Sequence, residues 1–147
     1  MISYLQTIPE ILPKQVIYIL DTIDSLRIPI HCIVTGIYFF ERCLTQSNSH
    51  VYTRLSAALY LGYRIHHDRY SSIKKWGYLT RTRSIQIVRY ETKILKSLEY
   101  RINIDQMILD NLFFRLSNLK MLNLLQAPMS PVSPILSPMV THFDFYR

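Results

Sequence analysis

Apolar residues recur along most of the chain at spacings of three and four, the period of an α-helix that buries one face. Pro13 suits the first turn of a helix within ILPKQVIYILDTIDSL (11–26), which Arg27-Ile28-Pro29 ends. Pro29 then suits the start of a second helix that ends near Thr45. The same period predicts further helices over 51–66, 71–79, 84–98 and 105–119. The predicted loops are short, and no segment alternates as a strand does. The pattern therefore predicts an all-α bundle of five to six helices over residues 1–119.

The pattern changes from about Lys120. The stretch QAPMSPVSPILSPM (126–139) holds four of the seven prolines of the chain, a density that stops helix and strand alike. We therefore predict a flexible, largely irregular, proline-rich tail over 120–147. Ser130, Ser133 and Ser137 each precede a proline and are candidate phosphorylation sites. Ser-Pro pairs also arise by chance in such a tail, and its aromatic end, MVTHFDFYR, suits either packing on the bundle or binding another molecule.

Length and composition fit one packed domain, because the chain has 147 residues and about half of them are apolar. The longest nearly apolar run, 28–40, is too short to cross a bilayer, and the N-terminus lacks the features of a signal peptide. We therefore expect an intracellular protein, cytoplasmic or nuclear, that is not secreted and has no membrane contact. Cys32 and Cys43 would lie about 16 Å apart on one helix, so we expect free thiols.

The formal net charge of +7 is concentrated in one region. Residues 64–101 hold ten Lys and Arg residues and three acidic residues, a difference of seven that equals the whole excess. Such a region suits an acidic partner or nucleic acid. A solvated basic face that only aids solubility explains the same pattern.

Three charged residues fall where the periodicity places apolar ones. Glu91 lies on the apolar stripe of the helix over 84–98, and Arg64 lies at the edge of the inner face of the helix over 51–66. Glu41 also faces inward on the preceding helix. A charge in an apolar setting needs a partner, so we predict an Arg64–Glu91 ion pair. This pair would either fix the helix register or stand at a surface cleft and contact a partner's backbone.

Three segments resemble, in order, the helices of a cyclin box: IYFFERCL (37–44), LSAALYLGYRIHHDRY (55–70) and YETKILKSLEYRINI (90–104). The resemblance covers roughly residues 8–118. The turn around Trp76 is most similar to that of the P/U-type (phosphate-regulation type) cyclins of fungi and protists, which also have a single box. The resemblance implies the fold of that family, a cyclin-like helical bundle.

The resemblance also implies a regulatory subunit that binds and activates a cyclin-dependent protein kinase. Arg64 and Glu91 stand where the family has the Lys and Glu that hydrogen-bond the kinase segment leading into its αC helix. Glu41 stands where an Asp braces the box. His66-His67-Asp68 departs from the acidic pair that is usual in the family, and Arg in place of Lys changes the donor geometry. The implied protein is a monomer outside the kinase complex, and its Ser-Pro sites suit a proline-directed kinase.

Other functions are open to the same sequence. An enzyme is not expected, because the chain has no Gly-rich phosphate loop, nucleophile arrangement or acidic metal cluster, and we expect no catalytic residue, cofactor or metal. A nucleic-acid-binding module similar to the cyclin-fold general transcription factors is the main alternative, with Trp76, Tyr78 and Tyr90 interleaved among basic residues. A cyclin-fold adaptor that binds a partner without activating a kinase is the third possibility.

Overall fold

A computed structural model describes residues 2–43, 50–68 and 71–126 of the chain. Within these ranges all regular structure is helical, which confirms the predicted all-α class. The helices in chain order are α1 (Ile2–Gln6), α2 (Pro13–Ser25), α3 (Ile30–Arg42), α4 (Val51–His66), α5 (Ile73–Leu79), α6 (Ser84–Ser97) and α7 (Gln106–Gln126).

The structure differs from the sequence prediction at its two ends. The five-residue α1 was not predicted, because so short a helix has no periodicity of its own and depends on packing, here of Leu5 into the core. The last helix continues to Gln126, past the predicted end at Leu119, because no proline interrupts it before Pro128. The predicted tail beyond that helix, with Ser130, Ser133 and Ser137, lies outside the described residues.

Helix α4 is the centre of the bundle, with twelve of its sixteen residues buried. It packs between α3 and α6. The contact with α3 brings the two backbones together, because a Cβ atom added to Gly62 would lie 2.5 Å from the carbonyl oxygen of Cys32 and 2.6 Å from the amide nitrogen of Gly36. This close approach requires glycine. It fixes how α4 lies in the bundle, and therefore where the last turn of α4 meets α6.

Helix α5 is anchored on α4 through Trp76, the only tryptophan of the chain. The indole is fully buried, and its Nε1 donates to Ser56 Oγ at 3.1 Å. The ring of Tyr60 lies 5.2 Å from it, centroid to centroid. Ser72 caps α5 by accepting from the amide of Lys75. The short helix is thus held by one large buried side chain and one cap.

Helix α7 packs across α1 and α3, with Leu112 and Leu116 buried. Cys32 and Cys43 are both buried and form no disulfide, as the spacing predicted. In the described ranges, no helix combines the length and the apolar content that crossing a bilayer requires.

Candidate functional site

The two charges that the sequence placed on facing helices meet in the structure. Arg64 lies in the last turn of α4, and Glu91 lies among the buried residues of α6. Arg64 Nη1 donates to Glu91 Oε1, which confirms the predicted ion pair. The two partners differ in exposure, since 39% of the Arg64 side chain and 8% of the Glu91 side chain are accessible. The guanidinium therefore stands at the protein surface, and the carboxylate lies beneath it.

Burial governs the electrostatics of this pair. It raises the pKa of the Glu91 carboxyl above its ordinary value, and the neighbouring Arg64 opposes that shift. Arg64 also contacts Tyr60, because its Cζ lies 5.8 Å from the centre of the Tyr60 ring, within the range of a cation–π contact. Both contacts orient a guanidinium that cannot usefully lose its proton.

The pair lies on the wall of an open groove of about 430 Å³ between α4, α6 and the segment after α6, which we call the Arg64 groove. Its lining residues are Leu61, Arg64, Ile65, Glu91, Thr92, Leu95 and Ile102. Five side chains other than the charged pair line it, and four of these are apolar. A groove with an apolar lining and one oriented charged pair suits a protein segment that brings both apolar side chains and main-chain polar groups.

An apolar strip on the outer side of α6 extends the groove. Ile85 and Val88 are 58% and 41% exposed, and helical spacing puts them on the same side as Thr92 and Leu95 of the groove. Two exposed β-branched residues in line with the groove enlarge the apolar surface on this side of α6. That surface suits a protein partner better than a small polar ligand.

Glu41, the predicted bracing residue, lies apart from the groove. Arg115 Nη2 of α7 donates to both of its carboxylate oxygens, at 2.7 and 2.6 Å. Burial, followed by the Glu41 carboxylate, raises the pKa of the Tyr4 hydroxyl in α1. The ion pair with Arg115 connects α3 with α7. Arg115 was missed because it is 74 residues away in the chain, where no local pattern connects the two.

The histidines that depart from the cyclin pattern face α3 and do not line the Arg64 groove. His66 Nε2 lies 2.9 Å from Thr35 Oγ1, and the ring of His31 lies 5.0 Å from that of His66 and 6.5 Å from that of His67. Burial, followed by the two neighbouring histidines, lowers the pKa of His66. No group of three or more metal-ligating side chains in the described part of the chain is arranged to hold a metal.

The aromatic residues that favoured a nucleic-acid interface differ in their exposure and contacts. Trp76 is buried and hydrogen-bonded, so its ring cannot stack on a nucleic-acid base. Tyr78 is 68% exposed, and the guanidinium of Arg81 lies over its ring at 5.1 Å. Tyr90 is partly buried, with Lys93 Nζ 5.1 Å from its ring centre. A row of stacking platforms needs exposed rings, and Trp76 cannot belong to one.

Sequence reasoning also missed one buried cation. Arg54 is 5% exposed, and its Nη1 donates to the carbonyl oxygen of Cys43 at the C-cap of α3, at 3.0 Å. A positive charge is favourable at the C-terminal end of a helix. The signal was present, because Arg54 lies three residues before Ala57 on the inner line of α4.

Comparisons with protein-family models, curated proteins and solved structures give no match to this chain.

Proposed function

We propose that this protein is a cyclin-like regulatory subunit that docks a cyclin-dependent protein kinase in the Arg64 groove and activates it. The observation that carries the proposal is the position of the Arg64–Glu91 pair, at the wall of an open groove and not sealed in the core. In the proposed complex the groove holds the kinase αC helix inward. The αC Glu then meets the ATP-orienting Lys, a condition for phosphoryl transfer.

The groove offers both kinds of contact that a docked segment needs. The Arg64 guanidinium carries five N–H donors, is oriented by Glu91 and Tyr60, and is reachable from solvent. In the complex it donates to main-chain carbonyl groups of the kinase, and the Glu91 carboxylate accepts from a main-chain N–H. The apolar lining and the strip of Ile85 and Val88 receive apolar side chains of the same segment.

A pair that only fixes the helix register is the competing explanation. Such a pair adds little net stability and needs no accessible guanidinium. The exposure of Arg64 and the open groove beside it favour docking. The two roles also differ in the effect of a substitution at position 64, since docking predicts a loss of binding beyond any loss of stability, and a register role predicts a loss of stability alone.

The test is a binding and activity assay with purified cyclin-dependent kinases. The wild-type chain should form a stable complex with one of them and raise its activity. Arg64→Gln should weaken that complex at least about tenfold, the effect of losing one or more charge-assisted hydrogen bonds. Arg64→Lys keeps the positive charge and introduces the residue that cyclins have at the corresponding position, so this variant should lose less kinase affinity than Arg64→Gln.

Lys75→Glu is the matched control. Lys75 is exposed, lies outside the groove, and occupies the position at which Glu would complete a capping box with Ser72. This variant should bind the kinase as the wild type does. A complex that forms without a rise in kinase activity would contradict activation and support the adaptor. Binding to an oligonucleotide that falls steeply with salt, with no kinase complex, would support the nucleic-acid module.

A further inference from the structure

A second concave site lies at the other end of α4. It has a volume of about 400 Å³ and is lined by the first turns of α2 and α4 and by the connection between α5 and α6. We call it the basic pocket, and its lining includes Lys14, Tyr18, Tyr52, Arg81 and Arg83. Tyr52 and Arg64 are twelve residues apart on α4, about 18 Å along its axis, so the basic pocket and the Arg64 groove are separate sites.

The charge of the basic pocket has one sign. Lys14, Arg81 and Arg83 contribute three positive charges, and no acidic residue lines it. None of the three forms an ion pair with another residue in the described part of the chain. Like charges brought to one concavity repel each other, and an anion there would remove that repulsion.

The two arginines are fixed by the turn that carries them, Thr80-Arg81-Thr82-Arg83 (80–83). Its threonines are buried and its arginines are exposed. Tyr52 Oη donates to the carbonyl oxygen of Thr80 at 2.5 Å, and Thr82 Oγ1 donates to the same oxygen at 3.3 Å. The first of these hydrogen bonds anchors the turn to the bundle, and the two together fix the backbones of both arginines. A ligand therefore does not have to order the loop when it binds.

The backbone supports the preference for an anion. Lys14 is in the first turn of α2, and Arg83 is the N-cap residue of α6. Both helices therefore direct their N-terminal ends, which carry partial positive charge, toward this part of the surface. Neither helix has an acidic residue in its first turn to neutralise that end.

We propose that the basic pocket binds a single phosphate group, either the monoester of a phosphorylated serine or threonine side chain or free inorganic phosphate. The planar donor fork of arginine matches phosphate oxygens, and two arginines with one lysine can neutralise a dianion. The three cations come from two separate segments and converge on one pocket, which fits one phosphate group with its attached side chain. A nucleic-acid backbone would need cations along an extended track. The inference does not depend on the proposed kinase partner.

The test compares two synthetic peptides by fluorescence anisotropy with the purified full chain. Both have the sequence APMSPVSPILSPM (127–139), and one carries phosphoserine at position 133. The phosphorylated peptide should bind at least about tenfold more tightly, the effect of one charge-assisted contact, and its affinity should fall with added salt. Inorganic phosphate should compete with it.

Arg81→Gly is the decisive variant. Arg81 has a φ of 55°, a left-handed conformation that glycine adopts without strain. The substitution removes one cation and should leave the unfolding midpoint unchanged or higher. It should reduce the preference for the phosphorylated peptide severalfold, and Arg81→Gly with Arg83→Gln should abolish it. Lys96→Gln, which removes an exposed cation outside the pocket, should keep the full preference.

Each outcome decides the proposal. The proposal is overturned if the two peptides bind with equal affinity, or if the preference for the phosphorylated peptide survives in the double variant. It is also overturned if Lys96→Gln reduces that preference as much as Arg81→Gly does. An oligonucleotide that binds through the same arginines more tightly than the phosphopeptide would also overturn the assignment to a single phosphate group. If the proposal holds, competition identifies the source. Inorganic phosphate that binds as tightly as the peptide indicates the free anion, and much weaker phosphate binding indicates a phosphorylated protein segment.

Discussion

Replacing Gly62 by alanine tests the close packing of α3 and α4 that positions Arg64. The added Cβ would lie 2.5 Å from the carbonyl oxygen of Cys32, and 2.6 and 2.9 Å from the amide nitrogen and Cα of Gly36. All three atoms belong to the backbone, so no side-chain rotation relieves the contact. The two helices must separate.

The size of the effect follows from these distances. To lengthen these distances to an ordinary contact of about 3.4 Å, α3 and α4 must move apart by roughly 1 Å. Overpacking of this kind costs about 1–3 kcal/mol or more. The higher helix propensity of alanine than of glycine offsets about 1 kcal/mol of this cost. Because backbone contacts lie at the upper end of the overpacking range, we expect a net loss of about 2 kcal/mol. For a domain of this size that loss corresponds to a fall of about 8 °C in Tm.

Thermal and urea unfolding followed by far-ultraviolet circular dichroism measures this loss. Gly36→Ala should behave similarly, since its Cβ would lie 2.7 Å from the Cα of Leu59. Lys93→Ala, on the exposed face of α6, should change the free energy of unfolding by less than about 0.5 kcal/mol. A Gly62→Ala protein as stable as the wild type, or more stable, would refute the backbone contact between α3 and α4.

Three further predictions concern individual polar side chains. Because the pKa of Glu91 is raised, the folded protein keeps a proton that the unfolded chain releases near pH 4.5. Ionisation of Glu91 therefore lowers the stability of the folded protein as the pH rises from 4.5 through the folded pKa. In urea unfolding at pH 4 and pH 7, Glu91→Gln should therefore gain stability relative to wild type at the higher pH, and a relative loss would contradict the sign. Tyr52→Phe should cost about 1–2 kcal/mol in urea unfolding, because its hydroxyl donates to the Thr80 carbonyl in a buried setting. An unchanged midpoint would contradict that hydrogen bond. Glu41→Ala should cost at most about 1 kcal/mol, since its ion pair with Arg115 is partly exposed, but should speed amide hydrogen exchange in α7 more than in α4. Equal changes in both helices would contradict the bracing role.

The sequence predicted those features that depend on local periodicity. The bounds of α4, Val51–His66, follow from its apolar spacing. The ion pair of Arg64 and Glu91 followed from two helical periods and one energetic rule, that a buried charge needs a partner. Both inferences use residues three or four apart, which a helix brings to one side whatever the rest of the fold does.

The features that were missed depend on how distant elements meet. Glu41 and Arg115 pair across α3 and α7, and Lys14 lines the same pocket as Arg81 because α2 packs against α5. The contact of His66 with Thr35 is likewise set by how α4 packs against α3. Interhelical geometry depends on the packing of many side chains together, so a single helical period does not determine it.

The most direct test of the proposed docking is a charge swap across the pair. Arg64→Glu or Glu91→Arg alone should lower both stability and kinase affinity, because each places like charges together at a partly buried site. The double variant, Arg64→Glu with Glu91→Arg, restores an ion pair in the opposite orientation. We predict that its unfolding midpoint recovers toward that of the wild type while its kinase affinity, measured by isothermal titration calorimetry, stays at least about tenfold weaker. Recovery of kinase affinity together with stability would show that the pair only holds the helices in register.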